Sequence, residues 1–183
     1  MKVVIGIDPG SIVCGYGVVA KRGHELYYVT SGDIRMSKTA PLELRLRQLF
    51  EELRAVIKDV RPDEAVIEKI FYARGKLAAL QLGHARGVAM LSASIEDVPV
   101  VQYSALEVKK AVVGYGRADK NQVIKMTRMI LNIGAELTSD SADALALALC
   151  HLNSLNISDL EERKGRLRPP LEPPARASVP LTP

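Results

Sequence analysis

Branched apolar residues run unbroken through Val3-Val4-Ile5-Gly6-Ile7 and stop at Asp8-Pro9-Gly10. Such a run reads as a strand covered on both faces, and Pro-Gly closes it because proline fixes φ and glycine accepts a positive one. Gly15-Tyr16-Gly17-Val18-Val19-Ala20 and Leu26-Tyr27-Tyr28-Val29-Thr30 follow after short links containing glycine. This predicts an antiparallel meander that leaves one edge of the first strand free. From Pro41 to Asp59 the period changes: Leu42, Leu46, Leu49, Leu53, Val56 and Ile57 recur at helical spacing, and Arg61-Pro62-Asp63 ends the helix. Ala65-Val66-Ile67-Glu68 is again a strand. Strand, helix and strand predict a parallel crossover that fills the free edge.

A second helix is expected from about Leu77 to Ile95, carrying Gly83 and Gly87 four residues apart. Glycines at that spacing weaken a helix and point to another backbone close by, either this sheet or a second subunit. Val98 to Tyr103 reads as a fifth strand, and Ser104-Ala105-Leu106-Glu107 as the capping box of a helix that runs to Val113. A glycine-rich basic loop, 114 to 120, precedes a helix over Asn121 to Leu131. The last ordered element starts at Ser139, and Ala144-Leu145-Ala146-Leu147-Ala148-Leu149-Cys150 within it must be buried on most sides. After Leu155 the periodicity lapses. The chain divides into one α/β domain, 1–155, and a tail, 156–183, that contains six of the ten prolines and is expected to be basic, extended and disordered.

Composition narrows the function classes. No apolar run approaches the roughly 20 residues of a membrane span, and Met1-Lys2 leads into a strand rather than a signal peptide, so a cytosolic protein is expected. Cys14 and Cys150 have neither zinc-ligand spacing nor the density of a disulfide scaffold and read as small core residues. The net charge of +4 equals that of residues 163–183, where Arg163, Lys164, Arg166, Arg168 and Arg176 face only Glu172. The body is neutral, yet its segment 69–128 contains ten cations against Glu96, Asp97, Glu107 and Asp119. That excess makes either a basic face for a polyanion or a solvated surface with scattered ion pairs.

The acids change the picture more. Asp8 and Glu68 each end a strand, and those strands are expected to be parallel neighbours about 4.8 Å apart. Either acid alone is ordinary turn chemistry; side by side they repel unless something positive intervenes. Asp140 and Asp143 lie at i and i+3 near the start of the apolar helix, where the helix dipole alone would also favour them. Four carboxylates with no serine or cysteine nucleophile set select hard cations such as Mg²⁺ or Mn²⁺. Two such ions suit an in-line phosphoryl displacement. Phe71-Tyr72-Ala73-Arg74-Gly75-Lys76 interleaves aromatic and basic residues, as elements that stack on bases and hold phosphates do, although Phe71 would equally suit the core. With Arg86, Lys110 and Arg117, the residues Phe71, Tyr72, Arg74 and Lys76 form the candidate nucleic-acid-binding set.

Gly6-Ile7-Asp8-Pro9-Gly10 with Gly15-Tyr16-Gly17, Ile67-Glu68 with Phe71, Leu82-Gly83-His84-Ala85-Arg86-Gly87, Val112-Val113-Gly114 and Asp140-Ser141-Ala142-Asp143-Ala144-Leu145-Ala146 together resemble the RuvC family of bacterial Holliday-junction resolvases, in order and at matching spacing from about residue 1 to 155. The resemblance implies an RNase H-like mixed five-stranded sheet, order 3-2-1-4-5, flanked by helices. It also implies a homodimer on four-way junction DNA that cuts two opposed strands, leaving 5′-phosphate and 3′-hydroxyl ends. Asp8, Glu68, Asp140 and Asp143 would then bind two Mg²⁺ ions, with Mn²⁺ able to substitute. By the same resemblance Lys109 and Lys120 would support catalysis or hold phosphates, Phe71 would lie near the junction crossover, and the helix with Gly83 and Gly87 would form the dimer interface. A branch-migration complex of RuvA and RuvB is the further partner it implies.

Three rival readings share parts of this pattern. A sugar-kinase or actin-like ATPase also places Gly-x-Asp-x-Gly after its first strand, but needs two domains around its nucleotide. An RNase H-like enzyme that processes ribosomal RNA would prefer RNA. A scaffold that only binds junctions would gain nothing from four acids beside phosphates.

Overall fold

The computed structural model describes residues 1–69 and 76–166. Five strands among them form one mixed sheet in the order β3-β2-β1-β4-β5, as expected. β1 (Lys2–Asp8) is antiparallel to β2 (Val13–Arg22), which is antiparallel to β3 (Glu25–Arg35). On its other side β1 runs parallel to β4 (Glu64–Glu68), and β4 parallel to β5 (Val100–Tyr103). β3 is longer than its apolar run because its second half, Ser31-Gly32-Asp33-Ile34-Arg35, is a polar edge that shows no alternation. β5 is shorter than expected: Pro99 has no N–H for the ladder, and only its carbonyl takes part, accepting from Ala65 N at 2.9 Å.

The alternation along β1 and β4 divides the core. Ile5, Ile7, Ala65 and Ile67 point to one face, covered by α1 (Leu42–Val60) and α2 (Lys76–Ile95). α1 buries Arg45, Leu49, Leu53 and Ile57, one residue per turn, and stops where Arg61 takes a left-handed conformation before Pro62. Val4, Val66 and the carboxylates Asp8 and Glu68 belong to the opposite face, beneath α3 (Ala105–Val113), α4 (Lys120–Ile130) and α5 (Ser139–Arg166). Capping boxes Ser104/Glu107 and Asp119/Gln122 start α3 and α4. α5 continues eleven residues past Leu155, into the start of the segment expected to be an extended tail, where Leu160-Glu161-Glu162-Arg163-Lys164 is a run of good helix formers without an apolar period.

α5 lies directly on the sheet because glycine makes room for it. A Cβ on Gly6 would stand 1.9 Å from the Ala144 carbonyl oxygen, and one on Gly15 2.2 Å from that of Asp140. Such contact brings the two acids of α5 down to the strand ends. The cysteines are core residues: burial pushes the Cys14 thiol up to about 12 and the Cys150 thiol up to about 11. No described helix is long and apolar enough to cross a membrane.

Candidate active site at the carboxyl ends of the central strands

With Ile7 opposite Ile67 in the parallel register, Asp8 and Glu68 are the next residues of β1 and β4 on the same face. They line a cavity of about 230 Å³ together with Lys109 of α3, Lys120 of α4 and Asp143 of α5, over an apolar floor that includes Val108, Val123 and Leu147. Five of the six residues expected to be catalytic thus share one cavity. Asp140, one turn earlier on α5, is outside its lining, but its charge reaches Asp8.

The site concentrates negative charge. Burial, then the charges of Asp143, Glu68 and Asp140, push the Asp8 carboxyl up from 3.8 to about 7. Burial and Asp143 push Glu68 up as well, against the opposing charges of Lys120 and Lys109. Lys120 Nζ meets Asp143 Oδ2 at 2.7 Å. Burial alone would lower the Lys120 ammonium, yet that hydrogen bond and the surrounding acids outweigh it and raise it. The donors are carboxylate oxygens, which suit a hard divalent cation. Among the described residues no three acids, histidines or cysteines are drawn together tightly enough to form a ready-made cation cage.

Neighbouring elements hold the site in place. Arg45, on the buried face of α1, donates to the Ser11 carbonyl at 2.8 Å and braces the turn after Asp8. Thr138 caps α5 by accepting from Ser141 N at 3.2 Å, and its hydroxyl donates to Asp33 Oδ1 on β3 at 2.7 Å. Asp33 and Thr138 escaped the sequence reading; the one local signal is a threonine three residues before Ser141, at the spacing of an N-cap and N3.

The candidate DNA-binding residues are distributed differently. Lys110 and Arg117 are exposed on α3 and on the loop that follows it. Arg86 turns inward, donating to the Glu68 carbonyl and to the Gln102 side chain. Phe71, Tyr72, Arg74 and the side chain of Lys76 lie outside the described residues. Gly83 and Gly87 are exposed on α2, and a Cβ at either would meet nothing within 4 Å, which excludes this sheet as the close neighbour.

An RNase H-like sheet with acids gathered at the carboxyl ends of its two central parallel strands defines the nuclease class of that fold, whose members depend on metal ions. The family model for crossover junction endodeoxyribonuclease RuvC matches residues 4–151, and the chain belongs to the RuvC family. A crossover junction endodeoxyribonuclease RuvC from Syntrophotalea carbinolica is 46% identical over 157 residues, spanning 86% of this chain and 98% of the relative. The solved structure of T. thermophilus RuvC in complex with Holliday junction substrate superposes with a TM-score of 0.82 at 32% identity, over 86% of this chain and 97% of that one. The yeast mitochondrial Holliday junction resolvase Ydc2, at 12% identity and a TM-score of 0.62, shares the fold, with 90% of this chain and 86% of that one covered.

Proposed function

We propose that this chain is a Mg²⁺-dependent endonuclease that resolves four-way DNA junctions by paired, symmetric nicks. The observation that carries the proposal is the meeting of Asp8, Glu68, Asp143, Lys109 and Lys120 in one cavity at the strand ends. Asp8, Glu68, Asp140 and Asp143 would hold two Mg²⁺ ions, for which Mn²⁺ can substitute. When bound, the ions supply positive charge to the phosphate oxygens and make an attacking water more acidic. The chain's own part is to fix the carboxylates on strand ends and a helix start, and to present Lys109 and Lys120 as donors to the phosphate. A water oxygen attacks phosphorus, the bond to the 3′ oxygen breaks, and that oxygen takes a proton, leaving 5′-phosphate and 3′-hydroxyl ends. Lys110 and Arg117, exposed on α3 and on the loop after it, suit contacts to the DNA backbone.

Two opposed cuts need two sites, and α2 supports a homodimer. Leu77, Leu80, Leu91 and Ile95 are exposed at helical spacing along it, with Gly87 between them. Without a partner, four apolar side chains on one stripe would face water.

The test is cleavage of an end-labelled synthetic four-way junction, a linear duplex and an RNA/DNA hybrid, each with and without Mg²⁺. Symmetric nicks in the junction alone, lost without metal, are expected. Preference for the hybrid would replace this reading with RNA processing, and tight junction binding with no nick would replace it with a scaffold.

A further inference from the structure

β4 ends on Glu68, and there the strand ladder lacks a donor. Ala65 N donates to Pro99 O and Lys69 N to Tyr103 O, so the odd-numbered residues of β4 turn their peptide groups toward β5. The even-numbered ones face β1. With Ile7 opposite Ile67, the N–H that would meet the Glu68 carbonyl belongs to residue 9, in the slanted pattern of a parallel pair. Residue 9 is proline and has no N–H. The Asp-Pro-Gly turn that exposes Asp8 therefore deprives its neighbour Glu68 of a backbone partner.

Arg86 supplies one. Its Nε donates to the Glu68 carbonyl at 3.3 Å, one terminal nitrogen donates to Gln102 Oε1 on β5, and the other reaches Met90 Sδ on its own helix at 3.3 Å. A guanidinium is planar and holds its donors in a fixed fork. These contacts set the last peptide of β4 against β5 and α2. The Glu68 side chain branches from the carbon next to that carbonyl, so holding the one restricts where the other can point.

We infer that Arg86 is a positioning residue for Glu68: by capping the open carbonyl at the end of β4 it aims the Glu68 carboxylate at the metal ions. The inference rests on the nuclease reading above and assigns Arg86 to the site rather than to DNA.

The test is Mn²⁺ titration of DNA-free protein, followed by the electron paramagnetic resonance signal of the free ion, alongside junction binding in EDTA. Arg86→Ala is expected to weaken Mn²⁺ binding about tenfold, the lower end of what loss of a residue supporting a metal ligand produces. Junction affinity in EDTA should stay unchanged. Arg86→Lys keeps the charge without the fork and should fall between Arg86→Ala and wild type. Gln102→Leu, which leaves Arg86 one anchor short, should weaken Mn²⁺ binding in the same direction and keeps the test open if Arg86→Ala does not fold. Unchanged Mn²⁺ affinity in these variants overturns the inference, and reduced junction affinity alone would return Arg86 to the DNA contacts. Wild type that binds no Mn²⁺ would instead overturn the metal reading itself.

Discussion

β4 bears a glutamate at each end on the same face of the sheet, and the two live in opposite electrostatic worlds. Glu64, at the start, receives Lys2 at 3.2 Å and shares a hydrogen bond with His151 Nε2 at 2.5 Å. Because the carboxylate can only accept, Nε2 donates to it, and on the other side of the ring Nδ1 shares a hydrogen bond with the Tyr103 hydroxyl at 3.0 Å. Burial works to raise Glu64, but the hydrogen bonds from His151 and Lys2 outweigh it and hold it below the ordinary glutamate range. Glu68, four residues on, is raised instead, by burial and by the charge of Asp143, which together outweigh Lys120 and Lys109. Residue type and strand are the same at both ends. A structural acid is matched with donors of its own, whereas a site acid is left short of positive charge for something that is not part of the chain.

Replacing the acid at the centre of the deficit should break this contrast most sharply. Asp8→Asn is expected to reduce junction cleavage roughly a thousandfold or more, about 4 kcal/mol of transition-state stabilisation. Junction binding should survive in the same variant. A folded Asp8→Asn protein that loses binding along with cleavage would show that Asp8 serves the DNA contact and not the chemistry.

The same substitution should act on stability in the opposite direction. Asp8 is raised from 3.8 to about 7 in the folded chain, so between those values the native state binds more protons than the unfolded one. Metal-free wild type therefore loses stability as pH rises from about 4 through 7, by an amount on the order of 4 kcal/mol for a carboxyl raised that far. In Asp8→Asn that loss should shrink to the share carried by Glu68. Urea unfolding in EDTA at pH 5 and pH 8 checks this; a wild type that is more stable at pH 8 would reverse the sign and the reading.

Lys120 is the chain's own partial answer to the deficit, through its 2.7 Å contact with Asp143. Its side chain is half exposed, so removing it should leave the fold intact. Lys120→Ala is expected to slow cleavage roughly 30-fold, about 2 kcal/mol. An unchanged rate under single-turnover conditions would take Lys120 out of the site.

These outcomes bear on what a sequence can disclose. Asp8 and Glu68 were legible because each closes an apolar run, and strand-end placement follows from periodicity and turn chemistry. Lys120 is reached through the family resemblance alone, as the last residue of a basic loop; the structure makes it the first residue of α4, behind the Asp119/Gln122 capping box. Arg86 reads differently in sequence and structure: a cation among glycines suggests phosphate binding, and its contact with Glu68 depends on a register that pattern does not specify. The second half of β3 was missed for a related reason, since a polar edge strand shows no alternation. Glu64 and His151 were invisible as a pair because 87 residues separate them and neither breaks the local pattern.

That silent pair provides the control. Glu64→Gln removes the charge that holds His151 and Lys2 while keeping nearly the same shape, and it touches nothing in the cavity at the other end of β4. The buried His151 would lose its charged acceptor, with an expected loss of about 1 to 2 kcal/mol in unfolding free energy at pH 7. Glu64 is held low in the folded chain, so its contribution is present above the unfolded glutamate value and is lost as pH falls through the folded one. The gap between wild type and Glu64→Gln in urea unfolding should therefore narrow toward pH 3. Cleavage and Mn²⁺ affinity should match wild type throughout. If Glu64→Gln slowed cleavage as much as Lys120→Ala, the two ends of β4 would be coupled through α5, and the division between structural and site acids would fail.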